Sequence, residues 1–243
     1  MLTTVLPPHP QQARSGRPGL RAFACWLALS APLAAQAELG GTVSLHSDLR
    51  YRGVSLSAGK PQAQLDLAYD GTEGWYGGAL VSHVDFYARS ESSLLLGYLG
   101  RVMPLAPGLD WELGASASHY PGKDFYNYQE LYLGLLGERW QARLYHSPRY
   151  YGRPLSTLYA ELSLRWPLAA RLDGFVGLGY LSTRDDTRNP HGPSRLDTRS
   201  GLALRLGQVE LQLAHVTLSR GGPYAGPFET DRRRWTLSSS LAF

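Results

Sequence analysis

From Gly40 to the end of the chain, apolar side chains recur at every second position, the spacing of a strand whose two faces meet different surroundings. Residues 157–166 show it best: Leu158, Ala160, Leu162, Leu164 and Trp166 point one way, and Thr157, Tyr159, Glu161, Ser163 and Arg165 the other. Residues 43–52 repeat it, with Val43, Leu45, Leu49 and Tyr51 against Ser44, His46, Asp48, Arg50 and Arg52. The pattern returns in 62–69, 109–118, 127–136, 139–146, 198–206, 209–213 and 234–243, and more weakly in 75–86, 92–101 and 174–182. It predicts about twelve strands of roughly ten residues, the length a tilted strand needs to cross a bilayer. No run of 18 apolar residues follows position 40, so the body of the chain has no helical span.

Alternation also describes a soluble sandwich, but four features favour a membrane barrel. The polar faces carry many charges, while the apolar faces are nearly free of them along whole strands. Tyr51, Tyr69, Trp75, Trp111, Trp140, Trp166 and Trp235 fall at predicted strand ends, where amphipathic rings settle at headgroup level. Short connections (70–74, 102–108, 137–138, 167–173, 207–208) alternate with longer or more polar ones (53–60, 121–126, 148–156, 183–197, 220–231), as periplasmic turns alternate with outer loops. The last strand alternates through Trp235, Leu237, Ser239 and Leu241 to Phe243, which resembles the terminal signal that outer-membrane barrels present to their insertion machinery. The expected fold is an all-β, antiparallel transmembrane β-barrel of about twelve strands, closed because hydrocarbon offers no partner to an unpaired sheet edge.

The start of the chain reads as an export address. Arg14, Arg17 and Arg21 lead into a mostly apolar stretch, 22–33, and Ala35-Gln36-Ala37 is a small-x-small cleavage site. The expected division is a removed, extended signal peptide over residues 1–37 and an outer-membrane barrel over residues 38–243. The whole chain has 24 basic and 20 acidic residues, but three of those arginines and the only cysteine lie in the signal. What remains is nearly neutral and gives no basis for nucleic-acid binding. It also has no cysteine for a disulfide framework or a cysteine zinc site.

Ser47-Asp48-Leu49-Arg50-Tyr51-Arg52-Gly53-Val54-Ser55, followed by Gly59-Lys60-Pro61, resembles a block of a proteobacterial family, the TorF-type porins, earlier described as conserved proteins of unknown function. Ser82-His83-Val84-Asp85-Phe86, Tyr120-Pro121-Gly122, Tyr145-His146-Ser147-Pro148 and Tyr150-Tyr151-Gly152 resemble further blocks in the same order. Leu49 stands where an aromatic is usual and His83 where an asparagine is usual. The resemblance covers most of residues 40–243 and implies an outer-membrane barrel with a channel role, without naming a solute.

On this reading the inward faces line a pore, with Asp48, Arg50, Arg52, Asp66, Asp110, Glu112, Glu130, Arg139, Arg143, Glu161, Arg165, Arg199, Arg205 and Glu210 as candidate pore-lining residues. Both signs occur in similar number, which argues against strong charge selectivity. The expected function is passive diffusion of ions or small polar solutes across the cell outer membrane. Arg50 and Arg52, placed at the outer rim of the first strand, read either as an anion-attracting constriction or as partners of lumenal carboxylates such as Asp48 and Asp66. The charged loop 183–197 reads either as an inward constriction or as a solvated surface loop. Lys60-Pro61 reads as a structural re-entry into a strand.

Two other readings compete: a structural or adhesive barrel with a blocked lumen, and a lipid-modifying outer-membrane enzyme. Ser44 shares a face with His46, and His83 with Asp85, a spacing that suits a base and its orienting group. Both faces are predicted to be lumenal, away from lipid, so the protein is expected not to be an enzyme. With no phosphate-binding glycine loop and only scattered histidines, no cofactor or metal is expected. The expected partners are outer-membrane lipids, the barrel-insertion machinery acting through Phe243, and small solutes.

Overall fold

The computed structural model describes residues 38–85, 91–152, 154–183, 191–223 and 232–243. The segment read as a signal, 1–37, and residues 184–190 of the charged loop lie outside them. The strands are β1 Glu38–His46, β2 Arg50–Tyr51, β3 Val54–Ser55, β4 Gln62–Asp70, β5 Trp75–Asp85, β6 Glu91–Ala106, β7 Leu109–His119, β8 Tyr128–Gly137, β9 Trp140–Ser147, β10 Thr157–Ala169, β11 Leu172–Thr183, β12 Ser194–Leu206, β13 Val209–Leu218 and β14 Arg233–Ala242. All except β2 and β3 join in one closed, twelve-stranded antiparallel barrel. The ring closes where β1 meets β14, from Thr42↔Ala242 to His46↔Ser238. At that seam Gly41 and Phe243 exchange backbone hydrogen bonds of 2.9 and 3.0 Å.

Exposure in this barrel is the reverse of that in a water-soluble domain. Leu131 on the outer wall is 62% exposed, whereas Glu112 on the inner wall is 0% exposed. Leu45, Leu99, Leu113, Leu133, Leu158, Leu178, Leu202 and Leu237 extend the apolar outer surface around the ring. Such a continuous belt is costly in water and favourable in hydrocarbon. Tyr69, Trp75, Trp140 and Trp166 are exposed near the short-turn end, and Trp235 near the long-loop end.

The first strand departs from expectation. β1 stops at His46, and Ser47 ties the chain to β14, its amide donating to the Leu237 carbonyl and its hydroxyl accepting from the Leu237 amide. From there the chain turns inward. Leu49 and Tyr51, expected on the lipid side, lie inside the barrel, and Arg50 and Arg52 are on an inward loop rather than a strand at the rim. Tyr51 is therefore no part of the aromatic girdle.

Candidate functional site

The inward loop, residues 47–61, builds itself around Asp48. One Asp48 oxygen accepts from Ser55 Oγ (2.5 Å) and Ser57 Oγ (3.1 Å), and the other from Arg50 Nε (2.6 Å). The Ser57 hydroxyl also accepts from the Leu49 amide at 3.0 Å, and the Leu56 amide donates to the Leu49 carbonyl at 2.7 Å. These local side-chain bonds offer the backbone an alternative to strand pairing, which is why the alternating pattern does not continue as a strand here. β2 and β3 form a hairpin whose two connecting residues, Arg52 (φ 49°) and Gly53 (φ 77°), are both left-handed. That is the turn a two-residue hairpin requires. Glycine takes this conformation freely, whereas arginine there costs about 1–3 kcal/mol unless its surroundings hold it.

Those surroundings are visible. The Arg52 guanidinium forks onto Glu130 of β8, with Nη1–Oε1 and Nη2–Oε2 both 2.8 Å. Arg52 is 2% and Glu130 4% exposed. Four tyrosine rings surround the guanidinium carbon: Tyr159 at 4.0 Å, Tyr51 at 4.7 Å, Tyr145 at 5.0 Å and Tyr150 at 5.7 Å. Tyr51 also donates its hydroxyl to Glu130 at 3.2 Å. Above this cage the loops after β7 and β9 form short turns, Asp124–Tyr126 and Tyr150–Gly152. Their rings stack with β8, Tyr128 lying 5.1 Å from Tyr150 and 4.8 Å from Tyr151. Among the described residues, the barrel's outer half is thus filled by the inward loop together with tyrosines of β8 and of the loops after β7 and β9.

A second layer lies nearer the short turns. Glu112 of β7 pairs with Arg143 of β9 across β8. Tyr76 donates to the same carboxylate at 2.6 Å. Because that donation uses the Tyr76 proton, Tyr132 must be the donor in its 2.8 Å contact with Tyr76. The reach over β8 depends on Gly134, where a Cβ would lie 2.7 Å from Glu112 Cγ. At the short-turn end Arg165 bonds Asp173 (2.8 Å) and Glu210 (2.5 Å), and Arg205 reaches Asp173 at 3.3 Å.

Of the predicted pore-lining residues, Asp66, Asp110, Glu112, Glu130, Arg143, Glu161, Arg165, Arg199, Arg205 and Glu210 project inward from strands, and Asp48, Arg50 and Arg52 sit on the inward loop. Arg139 does not line the interior: it is exposed in the turn between β8 and β9, where two residues are needed to reverse the chain. Arg50 pairs with Asp48 and Arg52 with Glu130, while Asp66 takes neither. His83 is on the exposed outer wall, and Asp85, at the strand end, is buried beneath the loop rather than beside it. His119 and His146 are likewise exposed outside, and His46 faces inward. Among the described residues, the loop that turns into the barrel after β1 is 47–61. Leu49 and Leu56, two leucines buried within a glycine- and serine-rich loop, are the signal that marks it.

The loop's far end is anchored at the outer entrance, where Lys60 Nζ lies 2.8 Å from Asp85 Oδ2. The hydrogen bond and the charge of Asp85 raise the Lys60 pKa above the ordinary lysine value. A pKa raised in the folded state stabilises the anchor at all pH below the unfolded lysine value and is lost as pH climbs through the folded one. A fluorophore on Ala58→Cys should therefore report an unchanged loop from neutral pH to the lysine range and a small release beyond it. The step should be missing when Lys60→Met is added; a step that persists there would assign it to another group.

Between the loop and strands β1, β12, β13 and β14 a gap remains, lined among others by His46, Asp48, Arg50, Asp197, Arg199 and Ser238. Its free volume of about 20 Å³ is room for little more than one water molecule. No cluster of metal-ligating side chains occurs among the described residues.

Known structures share this barrel. A NanC porin matches with a TM-score of 0.57 at 9% identity, covering 84% of this chain and 99% of that one. A KdgM porin matches at 0.52 and 10% identity, covering 86% and 99%, and a KdgM porin in complex with disordered oligogalacturonate at 0.51 and 11%, covering 86% and 99%. Similarity at this identity concerns the fold, which is that of outer-membrane porins. No curated protein matches the sequence. A family model described as "Bacterial protein of unknown function (Gcw_chp)" matches residues 31–209.

Proposed function

The chain belongs to the Gcw_chp family of bacterial proteins of unknown function, and we propose that it is a TorF-type outer-membrane channel for passive diffusion of ions or small polar solutes, with its outer half closed by a displaceable loop. The observation that carries this reading is how the loop is held. The backbones of its hairpin strands pair only with each other, and the loop meets the wall through side-chain contacts such as Arg52–Glu130 and Lys60–Asp85 and one backbone bond, from the Asp85 amide to the Leu56 carbonyl. A loop so attached can leave without breaking the hydrogen-bonded ring. Beneath it the lumen carries the ion pairs of Glu112–Arg143, Arg165–Asp173 and Arg165–Glu210, which suits the passage of polar solutes.

On this proposal export uses the N-terminal signal, insertion uses the terminal strand, and no chemical step is catalysed. A second reading, a barrel with a permanently blocked lumen, is favoured by the small gap and the buried Arg52–Glu130 pair. Planar-bilayer recordings of the purified protein separate the two. Stepwise conductance that scales with salt concentration is expected. Silence at every voltage, in the native protein and in a variant whose loop is shown to be released, would establish the blocked barrel.

A further inference from the structure

Among the described residues, most arginines inside this barrel are paired. Arg50, Arg52, Arg143, Arg165, Arg205 and Arg234 each have a carboxylate within 4.0 Å. Arg195 and Arg199, on the same inward face of β12, have none among the described residues. Arg199 donates to the Gln212 side-chain carbonyl at 2.6 Å and lies 4.9 Å from the Phe175 ring. Arg195 is 5% exposed and its Nε has no partner. A buried guanidinium without a counter-charge is strongly unfavourable, because neutral hydrogen bonds replace its hydration only in part.

Of these two arginines only Arg199, which is half-buried, faces the gap beside the loop. Arg199 lines it, and so does His46, which is 9% exposed and whose Nε2 has no hydrogen-bond partner. Ser238 stands opposite His46 across the β1–β14 seam. Two carboxylates also border the gap, and both are engaged: Asp48 with Arg50 and, at 3.7 Å, Arg234, and Asp197 with the Tyr159 hydroxyl at 3.2 Å. Among the described residues, Arg50, Arg199 and Arg234 thus outnumber Asp48 and Asp197 at the gap.

We propose that the gap is a binding site for a small, singly charged anion, a halide or the carboxylate of a small solute, held by the Arg199 guanidinium and the His46 ring nitrogen. Arg199 supplies the charge and a hydrogen-bond donor, and His46 supplies a second donor from the facing wall. The gap's size restricts the closed state to one small anionic group. As a step on a solute's passage the site rests on the channel reading, but as a binding site it does not require conduction.

The test uses bromide as the probe. Crystals of the detergent-purified protein soaked in bromide should show an anomalous peak between Arg199 and His46. Chloride NMR line broadening in detergent should report binding that weakens about tenfold or more in Arg199→Gln, the range for losing one charge-assisted hydrogen bond. His46→Gln provides an independent variant should Arg199→Gln fail to fold, and Arg101→Gln, beside Glu73 at the short-turn end, should leave the signal unchanged. Displacement of bromide by formate assigns the site to carboxylates and persistence assigns it to halides; both uphold it. Bromide found only on outer-surface arginines, or broadening equal in native protein, Arg199→Gln and His46→Gln, overturns it. Bromide bound in the gap of a protein that never conducts would keep the site and remove the channel.

Discussion

Glu130→Ala is expected to conduct in larger and longer-lived steps than the native protein. The substitution strands the Arg52 guanidinium, 2% exposed, inside the barrel without its carboxylate. Breaking one partner of a buried pair costs about 3–5 kcal/mol. The left-handed backbone at Arg52, φ 49°, adds a strain of about 1–3 kcal/mol that the lost contacts no longer offset. Since the backbones of β2 and β3 pair only with each other, the cheapest relief is for the loop to swing out and hydrate the arginine, leaving the ring intact. Arg52→Ala should act in the same direction by stranding Glu130, 4% exposed.

The double variant, Arg52→Ala with Glu130→Ala, should open less than the sum of the singles, because no buried charge is left over. Protease access to residues 47–61 should rise in parallel with conductance in both single variants. Unchanged conductance together with unchanged protease access in Glu130→Ala would show that the Arg52–Glu130 pair is not what holds the loop.

The second large effect is on stability. Glu112→Ala should lower the resistance of the reconstituted barrel to urea by about 3–5 kcal/mol, the usual consequence of leaving a buried partner charged and alone. Glu112 accepts from both Arg143 and Tyr76, and Tyr76 in turn accepts from Tyr132, so its removal unsettles three strands. Arg143 is deep in the wall, with its side chain 4% exposed, and has no flexible loop to carry it into water. Hence this substitution should destabilise the ring where Glu130→Ala releases a loop. A native unfolding midpoint in Glu112→Ala would mean that Arg143 recruits another acid, for which Glu161, opposite it on β10, is placed.

Most of the architecture was legible because a barrel wall repeats one simple rule. Each strand must show hydrocarbon one face and the lumen the other, and that rule is local to every second residue. It located all twelve wall strands, with ends displaced by up to six residues: β1 stops at His46 rather than 52, β13 runs to Leu218 rather than 213, and β6 to Ala106 rather than 101. It also placed Glu112, Glu130, Arg143 and Arg165 inside. It failed at Leu49, Tyr51 and Arg52, where the alternation continues in sequence but the chain has left the wall. It failed at Arg139, which shares the strand pattern yet sits in a two-residue turn, and at His83, whose face was read one register off.

The resemblance blocks illustrate the other limit. Residues 47–55, 82–86, 120–122, 145–148 and 150–152 lie far apart in sequence and carry no separate message. In the folded barrel Arg52 of the first meets Tyr145 and Tyr150 of later ones. Leu56, just beyond the first block, accepts a hydrogen bond from the Asp85 amide, and Tyr120 stacks on Tyr151. What the sequence determined by itself was a greasy-outside, wet-inside ring, because each residue's side of the wall follows from its own polarity and its neighbours'. Which charges meet, which loop enters the lumen and where two arginines have no carboxylate among the described residues were decided only by the tertiary structure. Those outcomes depend on distances across the ring, which closure sets and no local pattern contains.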